Sequence, residues 1–255
     1  MTIEDICAAI SARQTIADQD LSDITWKDAA CENASFVDCR FTDTIFASTD
    51  FTGASFMRCR FERCRFARAI LCDARFDHCQ FTMAGDPPAG CSFAFSDLRR
   101  SRFHGCDLSF CQFERSDLHA IEMDACNLRG ARLHQVDFSH AIGRKKFFTR
   151  AAFRNCNFDF AALADAPLMT CELTFCRFRE ADLGGVDFTD ADLKDSDFTQ
   201  AILVRAVLTG ADLRGAEVAG LNLLALAGFA RMKITQSQAD SLIAALRIDL
   251  YPDSP

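Results

Sequence analysis

The fourteen cysteines of this 255-residue chain are its most reactive residues. Thiolates can bind zinc, close disulfides or attack an electrophile. Their spacing argues against all three. No C-x-x-C pair exists, which weakens a zinc reading. Eleven of them (Cys39, Cys59, Cys64, Cys79, Cys91, Cys106, Cys111, Cys126, Cys156, Cys171 and Cys176) each lie two residues before a large apolar residue. There they serve as small hydrophobes. Cys59 and Cys79, or Cys156 and Cys176, are twenty residues apart and fall on neighbouring layers, so oxidation could join them incidentally. A reducing compartment keeps them as thiols. The histidines His78, His104, His119, His134 and His140 take outward positions and compose no catalytic motif. No phosphate loop or nucleotide fingerprint occurs. The expectation is a non-enzyme with no cofactor and no metal.

What positions these residues is a beat of five. Phe36, Phe41, Phe46, Phe51, Phe56, Phe61, Phe66, Leu71, Phe76 and Phe81 follow at equal steps. The beat resumes in a new frame from Phe93 to Phe138, and runs again from Phe153 to Leu223. Period five fits neither the helix nor the flat strand. In extended chain, residues two apart point the same way, so the large residue and the small one before it both face inward. The other three face out. A unit this short buries nothing alone and must stack on copies of itself. The fold class is therefore an all-β solenoid. On this reading Phe158→Ala removes core, whereas Asn157→Ala on the outside stays within roughly 0.5 kcal/mol.

The ends differ from the repeats. Residues 2 to 12 read as a short helix with a capping box at Thr2 and Asp5 and an apolar stripe of Ile3, Ile6, Cys7 and Ile10. It is expected to cover an open sheet edge. Thr235 caps a second helix starting near Gln236, with Ala239, Leu242, Ile243 and Leu246 on its apolar face. Leu242 and Leu246, with Ile248, Leu250 and Tyr251 of the tail, are the expected dimer contact. The beat also breaks twice. Between Phe81 and Phe93 the frame shifts by two around Asp86-Pro87-Pro88, which demands a loop. Between Phe138 and Phe153 the frame survives, but Arg144-Lys145-Lys146-Phe147 and Arg150 do not fit the inside of a tube. These two loops, at 82–91 and 141–150, are candidate partner-binding elements.

The net charge is −8. Residues 180 to 217 concentrate it, with nine acids against three bases. Asp182, Asp187, Asp192, Asp197 and Asp212 are the candidate acidic surface. At about one net charge per 1.5 Å of rod, that segment approaches the ~1.7 Å spacing of B-DNA. The competing reading is a charged surface kept for solubility. Arg58, Arg60, Arg63, Arg65 and Arg68 show that the N-terminal half does not imitate DNA. No apolar run is long enough to span a membrane. The N-terminus lacks the pattern of a signal peptide, so a cytoplasmic location is expected.

Runs such as Ala181-Asp182-Leu183, Ala191-Asp192-Leu193 and Ala211-Asp212-Leu213 resemble the A(D/N)Lxx motif of pentapeptide repeat proteins over roughly residues 21 to 223. The resemblance implies a right-handed quadrilateral β-helix with four repeats per coil. At ~4.8 Å per coil that is a rod of about ten coils and roughly 48 Å. It divides the chain into a capping helix and lead-in (1–20), the β-helix (21–223) and a C-terminal helix and tail (224–255). Gly90-Cys91-Ser92-Phe93, Ile121-Glu122-Met123, the loop at 141–150 and the entry into the last helix at Ser237, Gln238 and Ala239 are similar to the Qnr group, which protects DNA gyrase from quinolones. That similarity covers about 80 to 250; some forty further residues precede the aligned repeats. It implies a homodimer joined through its C-terminal ends, with loops that engage DNA gyrase or topoisomerase IV. Direct nucleic-acid binding and membrane contact are not implied. MfpA-type relatives without such loops are thought to mimic DNA. The second loop is more basic here than in a typical Qnr loop. Two alternatives stay open: self-resistance to a gyrase-directed natural toxin, and a repeat scaffold or effector that binds another protein.

Overall fold

The computed structural model describes residues 2–83, 85, 87–142, 146–249 and 251. Short parallel strands stack in one ladder: Thr15–Ala17, Ser35–Val37, Ser55–Met57, Arg75–Asp77, Arg102–His104, Ile121–Asp124, Ala151–Arg154 and Glu172–Thr174. The register places Ile16, Phe36, Phe56, Phe76, Phe103, Met123, Phe153 and Leu173 one above the next. Single bridges carry the same face on through Asp192 and Asp212 to Lys233. The ladder thus begins at Thr15, before the expected start of the repeats. Ile16, Leu21, Trp26 and Cys31 continue the beat inward and are buried.

The side chains explain the four-sided path. At the large positions Phe36, Phe41, Phe46 and Phe51 are fully buried and mark four successive faces. Along each face the rings stack directly: Phe36 on Phe56 at 5.0 Å, Phe41 on Phe61 at 4.8 Å and Phe46 on Phe66 at 4.7 Å between centroids. Trp26 closes the N-terminal end against the rings of all four of those phenylalanines. The chain turns each corner two residues after the large one, where φ is positive. Asp, Asn and Gly take many of these corners because they tolerate that conformation best. Phe95, Phe110, Phe160 and Phe175 adopt it too.

The motif's Asp or Asn has a structural role that the five-residue beat does not show. Its carboxylate or amide oxygen accepts a hydrogen bond from the backbone N–H two residues on, as in Asp50 to Thr52 (2.8 Å), Asp187 to Thr189 (2.9 Å) and Asp197 to Thr199 (2.9 Å). This holds the corner in shape. Asp107, Asn127 and Asn157 combine such turns with a ladder: Asn127 Nδ2 donates to Asp107 at 3.1 Å and Asn157 Nδ2 to Asn127 at 3.2 Å. Asn157 also accepts from the Asp159 N–H at 2.9 Å. It is therefore not a neutral outside position. Asn157→Ala is expected to cost about 1 kcal/mol, because two hydrogen bonds go at once. A denaturant titration that shows no loss would contradict this.

Cys39, Cys59, Cys79, Cys106, Cys126, Cys156 and Cys176 form a buried column, each thiol turned to a backbone carbonyl. Ser196 takes the next place and donates to Leu173 O at 2.8 Å in the same way. All fourteen cysteines are free thiols. Burial pushes the Cys31 and Cys171 thiols up to about 12, so they stay protonated.

Two helices close the tube. Helix α1 (Ile3–Ser11) carries the Thr2–Asp5 capping box and buries Ile6. Helix α2 (Gln236–Ala245) has a capping box between Thr235 and Gln238. Gln238 is buried, and its Nε2 donates to Leu213 O and Ala216 O, both at 2.7 Å. These are carbonyls of the last coil, which the side chain satisfies where no further coil follows. Among the described residues, no helix is long and apolar enough to cross a membrane.

Candidate functional site

Two hairpins leave the rod, and the ladder register gives their size. One coil advances the register by twenty residues, as from Phe56 to Phe76. Phe76 instead pairs with Phe103, twenty-seven positions on, so the first insertion adds seven. Met123 pairs with Phe153, thirty positions on, so the second adds ten. Ten is two whole repeats, which is why the beat keeps its frame there; seven leaves the remainder of two.

The first insertion is an antiparallel pair, Thr82 opposite Gly90 and Met83 opposite Ala89. Pro87 and Pro88 at its tip are exposed, and Asp86 lies outside the described residues. Its base is tight. A Cβ on Gly90 would sit 2.4 Å from both the Cys111 nitrogen and the Phe110 carbonyl carbon, and 2.6 Å from Ser109 O. All three are backbone atoms of the next coil, so they yield little. Gly90→Ala is expected to destabilise by about 1–3 kcal/mol, as overpacking does. A shift of the denaturation midpoint measures it.

The second insertion pairs Ser139–Ile142 with Lys146–Thr149 in antiparallel register, Ala141 opposite Phe147 and Ile142 opposite Lys146. Arg144 and Lys145 lie outside the described residues; Lys146 and Phe147 are placed in the second strand by their backbone. Arg150 is exposed at its foot, where its N–H donates to Phe138 O at 3.1 Å. The first hairpin leaves the corner between the Phe61 and Phe66 faces, and the second the corner between the Leu118 and Met123 faces. In a four-sided coil these corners are diagonally opposite, so the two hairpins leave the rod from opposite sides.

The acidic candidates separate in the same way. Asp182, Asp187, Asp192 and Asp197 stand one on each face of a single coil, so they ring the rod rather than line one side. Asp192 pairs with Lys194 at 2.7 Å and Asp197 with Arg179 at 2.5 Å. Among the described residues, Asp182 and Asp187 form no ion pair. Asp212 is 7% exposed and is held by Arg214 at 2.7 Å. Its hydrogen bonds from Arg214 outweigh burial and lower its pKa. It belongs to a closed turn and not to an open acidic surface. The N-terminal basic cluster is also partly neutralised, by Arg58 on Asp38 at 2.6 Å and Arg63 on Asp43 at 2.5 Å.

At the C-terminal end, Leu242 is buried against the chain's own core, so it serves the lid and not a dimer face. Leu246 is half-buried, whereas Ile248 and Tyr251 are exposed. Leu250 lies outside the described residues. Leu224, 82% exposed, joins this apolar end, although it directly follows the last step of the beat. Leu246 and Leu224 line one shallow pocket there.

No curated protein sequence matches the chain. Solved structures do. A trypsin-treated variant of QnrB1, a plasmid-mediated fluoroquinolone resistance protein, superposes with a TM-score of 0.76 at 26% identity, covering 84% of this chain and 99% of that one. Full-length QnrB1 gives a TM-score of 0.72 at 26% identity, covering 82% and 100%. The pentapeptide repeats family model matches in eight copies over 27–63, 89–119, 106–142, 126–168, 171–210 and 191–223. Those matches span most of a tube built from stacked five-residue units, and the chain belongs to the pentapeptide repeat family.

Proposed function

We propose that this protein binds a bacterial type II topoisomerase, DNA gyrase or topoisomerase IV, and protects it from quinolone-type or natural-product poisons without catalysis of its own. The observation that carries the reading is the similarity to QnrB1, which extends over 99% of that chain. Two hairpins on a rigid rod support it, because a stiff scaffold holds projecting loops at fixed spacing for a large partner. The second hairpin supplies the main contact: Arg144, Lys145, Lys146 and Arg150 meet acidic or phosphate groups, and Phe147 gives an apolar anchor. Pro87 and Pro88 act from the other corner. Asp182 and Asp187 are the acids that compete with DNA for basic topoisomerase surface. A supercoiling assay with purified gyrase, with and without a quinolone, tests the reading. Restored supercoiling in the presence of drug is the expected result. If gyrase is neither bound nor protected, a scaffold for another protein replaces it.

The rod is proposed to work as a homodimer through its C-terminal end. Exposed Leu224, which shares a pocket with half-buried Leu246, and exposed Ile248 and Tyr251 in the tail that follows support this, since exposed apolar groups favour self-association. Light scattering is expected to give a dimer mass at micromolar concentration and a monomer for Ile248→Asp. An intact dimer in that variant argues against the C-terminal contact.

A further inference from the structure

Side chains that the sequence separates by one coil and a hairpin meet on one face of the rod. Asp77 ends the strand Arg75–Asp77, and His104 ends the next strand in the ladder, directly opposite it. His78 follows at the corner, with Nδ1 3.0 Å from an Asp77 carboxylate oxygen. The His78 and His104 rings lie 5.4 Å apart between centroids and nearly perpendicular, at 76°. One nitrogen or oxygen from each of Asp77, His78 and His104 lies within 4.8 Å of the others. On the next rung, Asp124 approaches His104 Nδ1 at 3.4 Å.

Two neighbours leave this cluster open. Gly105 occupies the corner above His78 with φ +59, and a Cβ there would meet His78 Nε2 at 3.0 Å and Cδ2 at 3.1 Å. The missing side chain makes room for the imidazole. Arg58, at the corner below, is engaged by both oxygens of Asp38, at 2.8 and 2.6 Å, so its charge is compensated.

We propose that Asp77, His78 and His104 form a binding site for a divalent transition metal of the zinc class, with Asp124 orienting His104 from behind. Two imidazoles and a carboxylate are a fitting donor set for such an ion, and water completes it. Bonds of about 2.0–2.2 Å require the ligand atoms to close to roughly 3.4 Å from one another. Side-chain rotation supplies that movement, because all three groups are substantially solvent-exposed while their backbones are fixed by the ladder. Residues 77 and 104 are the start and end of the coil from which the first hairpin leaves. A metal held there ties the two ends of that coil together, one face away from the corner where the hairpin leaves, and stabilises the fold by mass action.

The test is a Zn2+ titration of the untagged protein by calorimetry, with thermal unfolding as a second readout. One Zn2+ per chain and a raised unfolding temperature are expected. His78→Ala and His104→Ala should each lower affinity about tenfold or more and remove the thermal shift, and Asp124→Asn should lower affinity about tenfold. His134→Ala, on another face, should change neither. If a variant fails to fold, His78→Gln and His104→Gln replace it. The proposal is overturned if the protein binds no Zn2+ stoichiometrically, or if the His78/His104 double variant binds it as the parent does.

Discussion

Removing residues 140–149 is expected to abolish protection of gyrase from a quinolone and to leave the rod folded. The register explains the choice of ten residues. Met123 to Phe153 takes thirty steps along the chain where one coil needs twenty. The deletion sets Phe153 five residues after Phe138, with Ala151 in the small inward position, and so restores the beat. A shorter cut at 143–149 leaves three surplus residues in a wall that has no place for them. The effect on protection should be close to complete, because the basic tip and Phe147 go together and hot spots carry most of an interface. Circular dichroism and light scattering should match the parent. A deletion variant that protects gyrase as well as the parent does would place the contact elsewhere. Asp182→Asn and Asp187→Asn make the contrast. Asn keeps the oxygen that accepts from the corner N–H while removing the charge, so these variants should weaken direct inhibition of supercoiling at high protein concentration and spare drug protection.

The second large effect lies in the core. Phe158→Ala should cost about 3–5 kcal/mol. Phe158 is fully buried, stacks on Phe178 at 5.1 Å and meets Phe153 edge-on at 5.4 Å. A narrow tube with one large side chain per face per coil has no spare group to fill the void, and the ladder above and below resists collapse. Gln112→Ala, at an exposed outward position, should stay within roughly 0.5 kcal/mol. Equal losses at the two positions in a denaturant titration would overturn the inward and outward assignment.

A five-residue beat determined by itself that this chain is a solenoid, and which side chains fill it. That information is local: alternation of an extended chain decides in from out, and Phe36 or Cys59 needs no distant partner to show its side. Both capping helices were legible for the same reason, since Thr2 with Asp5 and Thr235 with Gln238 lie within one helical turn. The outward residues behave differently. Their neighbours lie one coil away, and inserted hairpins change how many residues one coil takes. Only the ladder therefore decided that Asp197 meets Arg179 and that His78 meets His104. Folding the sequence on a period of twenty with the seven added residues would have set His104 opposite Asp77, next to His78. The ends escaped the sequence for another reason. An apolar stripe on a short helix does not say whether it faces its own chain or a second one. Leu242 turned inward because the last coil offers open carbonyls and an uncovered core, and Gln238 fixes the helix across both.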